Sequence, residues 1–227
     1  MIDYLSSLVA KVVMLAPPIL LALTVHEAGH ALLAHLRGDD TAKAAGRLSL
    51  NPLRHLDPTG TLVFFITAWF GSGIGWAKPV PVDYRRLKNP KRDIIWISAA
   101  GPVVNLLAAT VVALGLNALI HAGFFREPTT LRMYIGQMFL VGVQVNAVLA
   151  FFNLLPLPPL DGSGIVTGLL PQRLALRYQQ FNRYGFAILL ALIFLPQFIH
   201  GFPDIIGTLV VWPVHWLMDS LLPMLGE

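Results

Sequence analysis

The chain has 227 residues, 56% of them hydrophobic and only 12% charged, with a mean hydropathy of +0.67; an average soluble domain is about 25% charged. That composition does not fit a soluble fold, and the length allows one domain, residues 1–227. Without cysteine, disulfides, thiolate metal sites, iron–sulfur clusters and cysteine nucleophiles are excluded, and the net charge of +4 fits loops against anionic lipid better than a nucleic-acid partner.

Gaps between the charges define candidate spans of the roughly 20 residues that a bilayer requires. The first runs from Val12 to Leu36 and is uncharged except at Glu27, with Pro17 and Pro18 at its entry. No small-residue cleavage site follows it, so it is not read as a removed signal peptide. Ile94 to Ile120 and Met133 to about Leu155 carry no charge. Tyr184 to Phe202 and Ile205 to Leu225 form a C-terminal helical hairpin, about 184–225, turning near Pro203 and Asp204.

Gly60 to Trp76 is apolar but short and glycine-rich, and it reads as a re-entrant or β-loop segment, a sixth span being the alternative. Ten of the sixteen Lys and Arg lie between Arg37 and Arg92, on both flanks of this segment. A re-entrant path puts all ten on the cytoplasmic side with Arg173, Arg177 and Arg183, leaving the N-terminus outside and the C-terminus inside. The predicted fold is an all-α polytopic membrane protein with about five transmembrane helices and no internal repeat.

Ionisable groups inside an apolar span are costly and point to function. His26-Glu27-Ala28-Gly29-His30 places two imidazoles one helical turn apart on one face, the HExxH zinc signature, with a carboxylate between them to take a proton from activated water. A catalytic zinc needs a third protein ligand and an open position. Without cysteine, the third ligand is a carboxylate or another histidine. Asp161 is the better-placed candidate, being the only acidic residue between Glu127 and Asp204 and following a proline-rich segment that ends the third span. On the re-entrant topology the first and third spans run in the same direction, so His26, His30 and Asp161 meet at similar depth. His35 lies on the opposite side of the helix from His26 and reads as interfacial. His55 and Asp57 are candidate orienting residues around the site, with turn formation and helix capping as the other reading. Asn105 and Asn146 read as interhelical hydrogen-bonding residues.

Together the HEAGH sequence, Asn51-Pro52-Leu53-Arg54-His55-Leu56-Asp57-Pro58-Thr59-Gly60, Gly75-Trp76-Ala77-Lys78-Pro79-Val80-Pro81-Val82, Ala100-Gly101-Pro102 with Asn105, and the Leu-Asp-Gly ending at Gly162 resemble the site-2 protease family of intramembrane zinc metallopeptidases. The likeness is to its compact bacterial branch without a PDZ domain, and it covers a catalytic core of about residues 20–165. It implies one zinc ion per chain held by His26, His30 and Asp161, Glu27 as general base, and Asn153 as a catalytic amide at the oxyanion. It implies a transmembrane protein or peptide as substrate, unwound before cleavage, with the Gly71 to Pro81 region as a membrane-embedded β-loop. It also implies residence in the inner membrane of a bacterial cell. The competing reading is a non-proteolytic zinc-binding membrane protein or transporter, which would be indifferent to Glu27.

Overall fold

A computed structural model describes residues 2–69, 76–127 and 129–223. These residues form α1 (Ile2–Leu36), α2 (Thr41–Ala44), α3 (Pro58–Trp69), α4 (Pro90–His121), α5 (Thr130–Asn153), α6 (Asp161–Leu169), α7 (Gln172–Gln179), α8 (Asn182–Phe198) and α9 (Trp212–Leu221). A π-helical turn, Gly207–Val211, leads into α9. Among the described residues there is no strand, only one antiparallel bridge between Leu56 and Ala77.

Three helical stretches are long and apolar enough to cross a membrane: Val12–Leu36, Pro90–His121 and Thr130–Asn153, matching the first three predicted spans. A fourth is reached only if α7 and α8, bent by 62° to one another, count as one. The C-terminal hairpin is therefore less regular than expected. Helix α8 has 17 residues and an internal Pro196, and α9 has 10 residues behind its π turn. Large apolar side chains such as Leu107, Val111 and Leu114 are more than 60% exposed along α4, as expected where the surroundings are lipid hydrocarbon and exposure of apolar surface carries no aqueous penalty.

Helices α1, α4 and α5 form the centre. Small residues line their contacts because apolar helices in lipid associate through close backbone packing. A Cβ on Gly29 would lie 3.2 Å from the Ala100 carbonyl oxygen of α4, and one on Gly142 would lie 3.2 Å from Val112 of α4 and 3.8 Å from Pro18 of α1. Ala22, Ala109, Val143 and Ala147 are fully buried here. Pro18 meets Gly142, and Ala22 is joined to Asn146 through Asn105. The register places α1 and α5 side by side in the same direction, with α4 antiparallel to both.

The 57–76 segment leaves and returns at one point. The backbones pair at the Leu56–Ala77 bridge, and Lys78 N–H donates to the His55 carbonyl at 2.8 Å. Its first part is the 12-residue helix α3, about 18 Å long at 1.5 Å per residue and short of the bilayer core. A short helix thus forms the first part of the segment expected to re-enter or to form a β-loop, and the glycine-rich residues 70–75 of the expected Gly71–Pro81 β-loop lie outside the described residues. At the start of α4, Asp93 accepts from Asn89 N–H at 2.8 Å and pairs with Arg37 at 3.3 Å, fastening the end of α1 to α4.

Candidate metal centre

His26 and His30 share the face of α1 that packs on α4. Gly101 makes this possible, because a Cβ there would lie 2.5 Å from both His26 Cε1 and His30 Nε2. The adjoining Pro102 lies inside α4 and has no N–H to give the Ser98 carbonyl; one residue earlier, the Ile97 carbonyl accepts from His30 Nδ1 at 2.7 Å. His26 Nδ1 lies 2.6 Å from Asn105 Oδ1. Asn105 spends both amide hydrogens elsewhere, on the Ala22 carbonyl at 3.0 Å and on Asn146 Oδ1 at 2.8 Å. Asn146 in turn donates to the Gly142 carbonyl at 2.8 Å. The orientation of Asn105 is therefore fixed, and Nδ1 of His26 must be the donor.

Each neutral imidazole that donates from Nδ1 keeps only a lone pair at Nε2. Those two nitrogens lie 3.2 Å apart, and Asp161 Oδ2 lies 3.1 Å from His26 Nε2 and 3.3 Å from His30 Nε2. Asp161 adds a carboxylate oxygen to these two lone pairs. Three acceptor atoms, carrying one negative charge, thus converge in a nearly equilateral triangle with sides close to 3.2 Å. Ligands at about 2.0 Å from a shared tetrahedral centre are about 3.3 Å apart. Among the described residues, His26, His30 and Asp161 bring their ligand atoms close enough together to hold a metal ion.

Glu27, one residue after His26 on α1, accepts from Val80 N–H at 3.1 Å. The extended 76–82 segment that brings Val80 there is held by Arg47. This guanidinium, 6% exposed, donates to the carbonyls of Arg54, Lys78 and Pro79. The other predicted residues are placed as follows. Asn153, in the last turn of α5, donates to the Leu149 carbonyl at 2.9 Å. Asp57 accepts from Gly60 N–H at 2.7 Å and caps α3, as its capping reading expected. His55, 2% exposed, bonds through Nε2 to the Ser49 carbonyl at 2.8 Å. His35 pairs with Asp40 at 2.5 Å, away from the triangle.

The residues in contact with the two histidine rings are instead Asn105 and Ile97. The sequence signal for this contact is an asparagine in the middle of an uncharged span, which by itself indicates a link between helices and not its partner.

The family profile described as Peptidase family M50 matches residues 124–195. YwhC of Bacillus subtilis (strain 168), described as a candidate zinc metalloprotease, is 39% identical over 196 residues, covering 86% of this chain and 83% of its own. The chain belongs to peptidase family M50. Rip2 of Mycolicibacterium smegmatis, also described as a candidate zinc metalloprotease, is 30% identical over 88% of this chain and 71% of its own. Rip2 of Mycobacterium tuberculosis (strain H37Rv) is 29% identical over the same shares. No solved structure matches the chain.

Proposed function

We propose that this M50 chain is an intramembrane zinc metallopeptidase, with His26, His30 and Asp161 as the ligands of one zinc ion and Glu27 as general base. The observation that carries the reading is the triangle of Nε2, Nε2 and Oδ2 atoms, each about 3.2 Å from the next. Three converging lone pairs repel unless a cation lies between them, and two imidazoles with one carboxylate are a donor set suited to zinc.

When bound, zinc supplies Lewis-acid polarisation and a nucleophile from water near neutral pH. The protein's own groups do the rest. Asn105 and the Ile97 carbonyl hold the two imidazoles in the tautomer that offers Nε2. Glu27, next to the ligands in sequence, takes a proton at its carboxylate oxygen and returns it to the leaving amine. Asn153 supplies an amide to the developing oxyanion; this requires its side chain to leave the Leu149 carbonyl. His55 and Asp57 support the site by shaping the entry and start of α3, the helix that carries the 57–76 excursion.

In this reading residues 1–227 are one peptidase domain with its catalytic core at about 20–165. The substrate is a transmembrane segment in the bilayer. The adjacent ends of the 57–76 segment favour a re-entrant path, with the N-terminus outside and the basic loops and C-terminus in the bacterial cytoplasm. Helix α8 and the 205–221 helix then complete a set of about five spans, tilted or in a locally thinned bilayer. A zinc-holding transporter would need no proton acceptor beside the ligands.

The test is cleavage of a labelled transmembrane peptide by the purified chain in liposomes, with metal analysis of the same sample. One zinc per chain, cleavage stopped by chelation and cleavage restored by added zinc are expected. Zinc flux without cleavage would favour the transporter.

A further inference from the structure

A cavity of about 570 Å³ lies between α1, α5 and the two ends of the 57–76 segment, within the range of pockets that hold ligands of about 300–1,000 Å³. Its wall on α1 is Ala16, Leu20 and Leu23. At helical spacing, the next residue on that stripe is Glu27. On α5 the wall includes Val145 and Leu149, and the next residue on that stripe is Asn153. Because α1 and α5 run side by side in the same direction, both stripes lead out of the same end of the cavity toward the same place. Continued by one helical turn on each helix, the two walls of this trough reach the base and the amide proposed to act on the scissile bond.

The lining fits an apolar chain that has lost its helix. Aliphatic residues dominate, no charged group is present, and Thr24, Gln144 and His55 stand among them. An unwound segment at membrane depth needs partners for its backbone N–H and C=O groups. Gln144 is exposed and carries both a donor and an acceptor. His55 donates from Nε2 to the Ser49 carbonyl and lies almost wholly buried behind the wall.

We propose that this trough binds an extended, apolar stretch of the substrate adjoining the scissile bond on the side of the α1 N-terminus, with Leu20 and Val148 limiting the size of side chain it takes. The proposal rests on the metallopeptidase reading for the identity of its occupant. A lipid acyl chain is the competing occupant.

The probe is a lysine-flanked transmembrane peptide of leucines with a central Asn-Pro pair that loosens its helix, compared with the same peptide without that pair. The photoreactive residue p-benzoylphenylalanine is placed at position 148 of the full chain in liposomes, and at lipid-facing position 114 as a control. Capture of the loosened peptide at position 148, at least tenfold above both the position-114 control and the intact helix, is expected. Equal capture at the two positions, or none at 148, overturns the proposal and leaves lipid as the occupant. In the second arm, Val148→Trp raises KM at least tenfold for peptides with leucine beside the cleaved bond, and spares peptides with alanine there at unchanged zinc content. An equal effect on both peptides also overturns it. Capture without any cleavage by the unmodified chain would leave the trough standing and overturn the peptidase reading.

Discussion

Asn105 presents its carbonyl oxygen to Nδ1 of His26 at 2.6 Å while both of its amide hydrogens are bound elsewhere. One buried amide on α4 therefore sets the tautomer of an imidazole on α1. Replacing Asn105 with leucine removes that acceptor and leaves the ring free to turn. Zinc affinity, measured by competition with a chelator, should fall about 10- to 100-fold, the usual cost of losing such a partner. Unchanged affinity would show that the α1 backbone alone orients His26.

Gly101 is as specific a requirement. In Gly101→Ala the new methyl would lie 2.5 Å from both rings, between backbone of one helix and two confined imidazoles. Overpacking of this kind costs about 1–3 kcal/mol. A lowered thermal midpoint with loss of bound zinc is expected. Retention of full zinc occupancy would mean that α1 and α4 separate more easily than their small-residue contacts imply.

Arg47 offers a way to separate catalysis from metal binding. Its guanidinium fork holds three backbone carbonyls, and so holds the segment whose Val80 N–H meets Glu27. A lysine has no planar fork to replace it. Arg47→Lys should keep its zinc and lose on the order of tenfold to a hundredfold in cleavage, because small misplacements near the reacting groups have effects of that size. Loss of zinc in this variant would place the segment in metal retention instead.

Asp39 makes the juxtamembrane loops pH-sensitive. Burial pushes its carboxyl up, but hydrogen bonds from Thr41 and from Asp83 N–H outweigh burial and hold it below its ordinary value of 3.8. A carboxyl depressed in the folded state contributes stability that is complete above its unfolded value and is lost as pH falls through the folded one. The thermal midpoint should therefore begin to drop as the pH approaches 3.8 and go on dropping below it, and Asp39→Asn should flatten that part of the curve. An identical acid limb in the two proteins would remove Asp39 from the account.

Much of the centre was legible in the sequence because charge is so scarce there. Glu27 and Asp161 stood out against uncharged surroundings, and the three long helices followed from the gaps between charges. Residues whose role depends on distant partners were harder to read. Arg47 looked like one more loop cation, and only the folded chain buries it among three carbonyls. Asn105 was legible as a link between helices, but its hold on His26 depends on the register of α1 against α4. The start of the 57–76 segment is helical because the Asp57 cap and the apolar residues after Pro58 favour a helix locally, a signal that its glycine-rich second half obscures in the sequence. The C-terminal spans looked uniform in hydropathy, which does not register the bend before α8 or the π turn before α9.

The most direct test of the central claim is Glu27→Gln, assayed for zinc content and for cleavage of a transmembrane peptide in the same liposomes. Glutamine preserves the shape of the side chain and its capacity to accept from Val80 N–H, now 3.1 Å from Oε2, but it cannot take up a proton at neutral pH. The account predicts zinc at the level of the unmodified protein and cleavage reduced by about 10²- to 10⁴-fold. Full cleavage by this variant with zinc in place would contradict it.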